Sequence, residues 1–203
     1  MLFAATFHAS NLDQYPKNTI VSPIEAAHVG EAAEPAGQMR DRVADPRVAI
    51  KALTRLGTRV MTAVGCQPDI AAEIAEHLVD ADLSGVYSHG IFRLDWCAER
   101  AAAGRFNPGA MPHMVQAERG ADMVDGGNGL GIPAFRMATD HVIERARQGG
   151  MAAVGVSNVN HTGRIGAFAQ RGAHAGCLTI MFSGGARADW RQIAPCSGAR
   201  WTA

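Results

Sequence analysis

Apolar residues recur every three or four positions after residue 46, which is the spacing of one face of an amphipathic helix. The Asp45–Pro46 pair suits the first turn of a helix, and Gly65 suits its end. A second helix is predicted from Pro68 and a third over residues 91–103. The apolar positions of the first two helices are Ile50, Leu53, Leu56, Val60, Met61, Val64, Ile70, Ile74, Leu78 and Val79. Residues 47–112 are therefore predicted to form a helical segment.

Short apolar runs between glycines replace this pattern after residue 112. The predicted elements are strands over 113–117 and 122–125, a helix over 133–148, a strand over 151–156, a helix ending near Ala175 and a strand over 178–182. The run over 151–156 is apolar throughout, as expected of a buried strand. Strands that alternate with helices are typical of α/β proteins, so the predicted fold class is α/β.

The first 46 residues lack a sustained apolar period. Four prolines interrupt them, and pieces rich in alanine and glutamate lie between. We predict that residues 1–46 form a flexible or loosely docked extension. The apolar start, Met1–Phe7, is short and no lysine or arginine precedes it, so we expect no signal peptide.

Composition narrows the range of partners. Basic and acidic side chains number 19 each, so the chain offers no general electrostatic attraction to nucleic acid or to an anionic membrane. No apolar run is long enough to span a bilayer. The four cysteines show neither a CxxC pair nor metal-ligand spacing, which favours free thiols in a reducing compartment. We therefore expect a cytoplasmic protein without nucleic-acid, membrane or metal partners.

The segment Ala81–Arg93 carries the first candidate site. Ser88, His89 and Gly90 separate two predicted helices, and Arg93 follows His89 by four residues. This spacing places an imidazole that can exchange a proton and a guanidinium that can bind an anion on one side of a helix start. The alternative is a loop histidine with a structural role beside a surface arginine, because a tripeptide such as Ser-His-Gly recurs by accident.

A second cluster, Asn160–Gly166, follows the apolar strand. Gly163 and Gly166 would let the backbone approach a flat ring, and the free amides of a helix start favour anions. The alternative is an ordinary strand-to-helix turn, with His161 as a cap and Arg164 on the surface. Two histidines and an arginine together are what a site for a small hydroxy or oxo acid needs.

The glycine-rich run Asp125–Gly131 is predicted to be a loop before a helix. It has the spacing GxGxG, and no acidic residue closes the next strand, so a Rossmann fold is not predicted. Neither an HExxH motif nor a pair of carboxylates supports hydrolytic metal or glycoside chemistry. The remaining histidines are expected at the surface or in the core: His8, His28, His77, His113, His141 and His174.

Both clusters resemble the malate/L-lactate dehydrogenase family, a group of NAD(P)-dependent enzymes whose fold is not a Rossmann fold. The family pattern Ala-Asp-x-x-Gly-x-x-Ser-His-Gly-x-x-Arg is met at every fixed position of Ala81–Arg93, and Asn-x-x-His-x-Gly-x-x-Gly is met over Asn158–Gly166. Two positions depart from the family: Tyr87 replaces the usual aspartate, and Ile132 the usual glutamine. The resemblance covers about residues 47–195 and implies N-terminal helices followed by a mixed sheet with helices.

The resemblance implies the oxidation of a small L-2-hydroxy acid by NAD or NADP. His161 is then the base that takes the hydroxyl proton, and His89 lies beside the nicotinamide and the substrate oxygen, unless the two exchange roles. Arg93 binds the substrate carboxylate, and Ser88 hydrogen-bonds the substrate or orients His89. The residues implied to contact the cofactor are His89, Gly163, Arg164 and Ile165.

Family members continue with a second part, which contributes much of the cofactor site and a further catalytic aspartate. Agreement with the family decays at Cys196. We therefore expect residues 113–203 to be a partial α/β cofactor-binding domain of a truncated or frameshifted product with little activity of its own. The alternative class is a non-catalytic fragment or a remnant that binds a partner. The resemblance further implies a homodimer.

Overall fold

The computed structural model describes the backbone of residues 2–8, and residues 48–116 and 120–182. The three predicted helices are confirmed as α1 (Ile50–Val64), α2 (Pro68–Leu83) and α3 (Arg93–Ala102), and a short 3₁₀ helix (Tyr87–His89) lies between α2 and α3. Gly65 ends α1 with a φ of 113°, which glycine adopts without steric cost. The predicted opening at Asp45–Pro46 lies outside the described residues.

The second half confirms the predicted order of strands and helices. Its elements are β2 (His113–Val115), β3 (Asp122–Gly129), α4 (Gly131–Gly149), β4 (Met151–Val159), α5 (Gly166–His174) and β5 (Cys177–Met181). β3 and β4 are parallel, whereas β2 pairs antiparallel with β3. The α/β class with a mixed sheet is therefore confirmed.

The predicted flexible or loosely docked extension over residues 1–46 is wrong for residues 2–8. Leu2–His8 form a strand, β1, which lies between β4 and β5 and pairs antiparallel with both, giving the strand order β2-β3-β4-β1-β5. A single strand needs only five or six residues, which is too short for a sustained period to be visible in the sequence. Backbone pairing on two sides replaces the loose docking that we expected. Residues 9–47 lie outside the described part.

The glycine-rich run also differs from the predicted loop. β3 continues through it to Gly129, with an irregular register between Asp125 and Gly129. The carboxylate Oδ1 of Asp125 accepts the N–H of Gly127 at 2.7 Å and the Nδ2 of Asn158 at 2.9 Å. These two bonds hold an irregular strand where composition alone indicates a turn.

One hydrophobic core joins the helices to the sheet. Its most buried side chains come from α1, α2, α4, β3 and β4, with at most 1% exposure, and include Met61, Ile74, Leu78, Val124, Ile132, Val142 and Val154. Cys66, Cys97 and Cys177 are buried free thiols, as predicted, and Cys196 lies outside the described residues. Within the described ranges, no helix has the length and apolar composition needed to cross a membrane.

Candidate active site

The segment that carries His89 is fixed to the end of α2 by Asp82. Its carboxylate Oδ2 accepts the N–H of Ile91 at 2.8 Å, just beyond the 3₁₀ helix. Gly90 is buried against this carboxylate, and a Cβ at that position would overlap Asp82. The aspartate and the glycine of the sequence motif are therefore two halves of one packing contact.

Ser88, His89 and Arg93 are brought together as predicted from their spacing. The Oγ of Ser88 lies 2.9 Å from Nδ1 of His89, and the Nε of Arg93 donates to the carbonyl oxygen of Ser88 at 2.7 Å. The guanidinium carbon of Arg93 lies 5.0 Å from the ring centre of Phe92 and 5.9 Å from that of Trp96. The guanidinium is thus oriented by one hydrogen bond and two aromatic rings.

His161 lies beside this segment although 72 residues separate it from His89 in the sequence. Its ring centre is 5.4 Å from that of His89 and 5.4 Å from that of Trp96. The N–H of Gly163 donates to Nδ1 of His161 at 3.1 Å, while the buried Nε2 has no hydrogen-bond partner among the described residues. A buried polar atom without a partner is rare, and this one belongs to a ring that packs against His89.

The glycine-rich run supports the backbone around His161. The N–H of Gly131 donates to the carbonyl oxygen of His161 at 2.9 Å, and the N–H of Asn160 donates to the carbonyl oxygen of Gly129 at 2.9 Å. A Cβ at Gly131 would lie 2.7 Å from the Cγ2 of Thr162, closer than packing allows. The close approach of two backbones explains this glycine without a bound phosphate.

Both site histidines are held neutral near pH 7. Burial lowers the pKa of His161 to about 4, and the positive charge of Arg93 acts in the same direction, as do His89 and His77 when they are protonated. Burial and Arg93 also lower the pKa of His89 from its ordinary value. A neutral imidazole can donate from one ring nitrogen and accept at the other, which a proton-handling group requires.

The predicted cofactor residues Gly163, Arg164 and Ile165 form the turn that leads into α5. Gly163 is buried with a φ of 67°. The guanidinium of Arg164 points to α2, where its Nη2 lies 2.5 Å from the Oδ2 of Asp80, and the same nitrogen donates to Gln170 at 2.9 Å. Ile165 precedes the first turn of α5, and its carbonyl oxygen accepts the N–H of Phe168. The side chain of Arg164 is thus engaged within the protein.

A cleft of about 750 Å³ lies along α2, α4 and α5. His77 and Arg164 line it, whereas His89, Arg93 and His161 do not. Most of its charged side chains come as opposite pairs, including Arg136 with Glu73 and Arg171 with Asp140. No group of three His, Cys, Asp or Glu side chains in the described residues is arranged to hold a metal ion.

Sequence reasoning missed three residues of the site. Trp96 packs against His161, Asp82 braces the loop of His89, and His77 contacts the turn that follows His161. Trp96 stands three positions after Arg93, so helical spacing could have placed the two on one face. Nothing in the sequence around His77 indicates its contact, because its partner lies 87 residues away.

The sequence profile of malate/L-lactate dehydrogenases matches residues 48–200, which include both histidine segments. The chain belongs to the malate/L-lactate dehydrogenase family. The resemblance inferred from the two motifs is thereby confirmed, and the family and the matched relatives are dehydrogenases.

Three relatives show the range of this family. The chain is 32% identical to the NAD(+) ureidoglycolate dehydrogenase of Escherichia coli, over 66% of this chain and 38% of that protein. It is 32% identical to the malate dehydrogenase of Pyrococcus abyssi, over 62% of this chain and 34% of that protein. It is 29% identical to the NADP(+) (2R)-3-sulfolactate dehydrogenase of Chromohalobacter salexigens, over 74% of this chain and 46% of that protein. The chain thus spans less than half the length of these relatives.

Solved structures of the family share the fold. A putative malate/lactate dehydrogenase from Escherichia coli superposes with a TM-score of 0.61 at 31% identity, over 64% of this chain and 37% of that one. The malate dehydrogenase of Entamoeba histolytica gives a TM-score of 0.60 at 30% identity, over 64% and 37%. Part of the family fold is therefore present in this chain, over 64% of its length.

Proposed function

We propose that this chain carries the acid-binding and proton-handling part of a dehydrogenase that transfers hydride between a small L-2-hydroxy acid and NAD(P). The observation that carries the proposal is the buried Nε2 of His161, which has no partner among the described residues. It lies beside His89, whose neighbour Arg93 supplies a positive charge. These residues fit a small anionic substrate together with a nicotinamide, because the unpartnered nitrogen can hydrogen-bond the reacting oxygen.

We assign the binding of the substrate carboxylate to Arg93. Its Nε is already bonded to the carbonyl oxygen of Ser88, so a carboxylate would bind end-on through the two terminal nitrogens. The contacts of the guanidinium with Phe92 and Trp96 restrict its motion before a substrate arrives. A guanidinium oriented in this way loses less conformational entropy on binding than a free surface arginine.

We assign the exchange of the substrate hydroxyl proton to His161. In the resting state Nδ1 accepts the N–H of Gly163, so the ring carries its proton on Nε2 and presents a donor. That form suits a hydrogen bond to the oxygen of a 2-oxo acid. Accepting a proton at Nε2 requires the other tautomer and the loss of the Gly163 bond, which costs about 1 kcal/mol.

His89 is the alternative base. Ser88 can accept from its Nδ1, which leaves Nε2 free to accept a proton without a change of tautomer. The bound nicotinamide supplies the hydride acceptor, and either histidine then takes the proton. Substitution of each histidine by alanine in a full-length relative separates the roles: turnover should be lost in the variant that lacks the base. Retained turnover without His161, and loss without His89, would reverse our assignment.

The cofactor and the acid are proposed only as classes. One relative is named for NAD(+) and another for NADP(+), and their acids differ. Because the chain spans 38% of the ureidoglycolate dehydrogenase, we expect weak acid binding with little turnover from these 203 residues alone. A homodimer also remains a proposal. Its test is size-exclusion chromatography with light scattering, in which a clean monomer would contradict it.

Titration of NADH and NADPH against the purified chain tests the assignment to a dehydrogenase. Enhanced nicotinamide fluorescence that saturates, and that increases when a 2-oxo acid analogue is added, is the expected result. A non-catalytic remnant predicts no saturable binding of either dinucleotide. Reduction of NAD⁺ or NADP⁺ with L-malate or L-lactate is the companion assay, and robust turnover would contradict the expectation of weak activity.

A further inference from the structure

Among the histidines whose side chains the structure describes, His77 is the one outside the predicted site that contacts the turn after His161. It lies on α2, and its Nε2 accepts the backbone N–H of Arg164 at 2.9 Å. The preceding N–H, that of Gly163, donates to Nδ1 of His161 at 3.1 Å. Two successive amides thus donate to the ring nitrogens of two different histidines. The two amides belong to adjacent peptide units that meet at the Cα of Gly163, so the φ and ψ of Gly163 fix the direction of one N–H relative to the other.

The fit between His77 and this turn is close. A Cβ at Gly163 would overlap the imidazole of His77, and the φ of 67° at Gly163 is one that other residues rarely adopt. The imidazole also stacks on Phe168 of α5, whose ring centre lies 5.0 Å from that of His77 at an interplanar angle of 21°. The imidazole is therefore held between α5 and the turn.

α2 contacts Arg164 through two residues. His77 binds its backbone N–H, and Asp80, three residues later, binds its guanidinium. The charged or titratable groups that act on His77 are Asp80 on its own helix, Arg164 on the turn and His89 on the 3₁₀ helix. Burial, Arg164 and His89 together lower the pKa of His77 to about 4 against the opposing charge of Asp80. The ring is neutral, as its acceptor role requires.

We propose that His77 is a positioning residue, which accepts the N–H of Arg164 and so holds the turn that directs the N–H of Gly163 to His161. Its role rests on the proposed function of His161. Without the acceptor on α2, the turn loses the bond that fixes its second amide. The first amide is then free to leave Nδ1 of His161, and the tautomer of the catalytic ring is no longer set.

Two substitutions of His77 separate the acceptor from the volume of the ring. His77→Gln places an amide oxygen near the position of Nε2, so it can accept the N–H of Arg164 but cannot titrate. His77→Phe keeps a ring against Phe168 but removes the acceptor. Asp80→Asn is the matched control, because it weakens the side-chain contact of Arg164 and leaves the backbone bond in place.

The measurement is NMR of the full chain with ¹⁵N-labelled histidine rings, which reports the tautomer and pKa of His161 without any need for turnover. We expect the Nε2–H tautomer in the unsubstituted chain, His77→Gln and Asp80→Asn. In His77→Phe we expect mixed tautomers and a pKa of His161 that rises by at least about 1, because water reaches the freed Nδ1.

Three outcomes would overturn the proposal. His161 could behave identically in His77→Phe and the unsubstituted chain, His77→Gln could fail to restore the tautomer, or Asp80→Asn could match His77→Phe. If His77→Phe does not fold, His77→Asn replaces it, since its shorter amide cannot reach the N–H of Arg164. Absence of acid or dinucleotide binding would reject the proposed function while leaving this ring measurement interpretable.

Discussion

The two site histidines are held in different ways. His89 is fixed by residues close to it in the sequence, namely Ser88, Arg93 and Asp82. His161 is more buried, and the contacts around it come from distant positions: Gly131 binds its carbonyl oxygen, and His77 binds the turn that follows it. One half of the site is therefore a local motif, and the other depends on the assembled core.

This difference has a consequence for stability. A histidine in a local loop can lose its contacts without disturbing the core, whereas the turn after His161 is packed between α2, α4 and α5. Substitutions near His161 should therefore affect unfolding, and substitutions near His89 should affect mainly the binding of the acid. The predictions below test that distinction, from the largest expected effect to the smallest.

Acid should destabilise the fold through the buried histidines. The pKa values of His161 and His77 fall from 6.5 to about 4 on folding, so the unfolded chain binds more protons between these limits. The contribution of each ring to stability is complete above its pKa in the unfolded chain, 6.5. It is lost as the pH falls toward the pKa in the folded protein, about 4, and amounts to roughly 3 kcal/mol for each ring. Denaturant unfolding at a series of pH values measures this loss.

His77→Gln provides the control for this titration. In this variant the loss of stability between pH 6.5 and 4 should be smaller by the contribution of one ring. The raised pKa of half-buried Glu73 acts in the opposite direction in both proteins. A free energy of unfolding that does not change between pH 6.5 and 4, or the same slope in His77→Gln, would show that His77 and His161 are not buried as described.

Gly163→Ala should destabilise the protein by about 2 to 3 kcal/mol, because strain at a positive φ adds to overlap with His77. Gly85→Ala is the matched control. Gly85 has a φ of 72° but no atom within 4 Å of an added Cβ, so only the strain of about 1 kcal/mol is expected there. Equal losses of stability in chemical denaturation would mean that His77 does not pack against the turn.

Asp82→Asn should weaken acid binding more than it weakens the fold. The neutral amide is a poorer acceptor for the N–H of Ile91, and the expected loss of stability is about 1 kcal/mol. Asp95→Asn on exposed helix surface is the control, with an expected change below about 0.5 kcal/mol. If Asp82→Asn leaves acid affinity unchanged, the loop of His89 is not braced through this carboxylate.

Tyr87→Asp should have the smallest effect. It introduces the residue usual in the family at a position where the tyrosine is 70% exposed. A surface change of this kind alters the free energy of unfolding by less than about 0.5 kcal/mol. A large loss of stability in thermal unfolding would show that Tyr87 makes a contact that its exposure does not indicate.

The sequence could predict the features that depend on local contacts, as around His89, but not those that depend on long-range contacts, as around His161. Ser88, His89 and Arg93 lie within six consecutive positions, so their spacing alone placed them together correctly. The order of strands and helices after residue 112 was also predicted, because periodicity and glycines are local signals.

Long-range pairing could not be predicted from these local signals. β1 lies between β4 and β5 through backbone hydrogen bonds that leave no side-chain pattern. The contact of His77 with Arg164 joins residues 87 positions apart. The extension of β3 to Gly129 depends on two hydrogen bonds to Asp125, although the glycines themselves favour a turn.

The central claim is that Arg93 and the two histidines form one acid-binding site. Isothermal titration calorimetry with oxamate, an unreactive analogue of a 2-oxo acid, tests it on the 203-residue chain and on Arg93→Gln and Arg100→Gln. Arg100 is the control, because it also packs on Trp96, at 4.7 Å, but has no assigned role.

We expect Arg93→Gln to bind at least about tenfold more weakly, because a charge-assisted bond is lost, and Arg100→Gln to stay within about twofold. At about pH 5, close to the pKa of about 4 of His161, binding should also take up protons, because the anion offsets the part of the pKa depression that Arg93 causes. Equal affinity in Arg93→Gln and the unsubstituted chain, with no proton uptake, would contradict the claim.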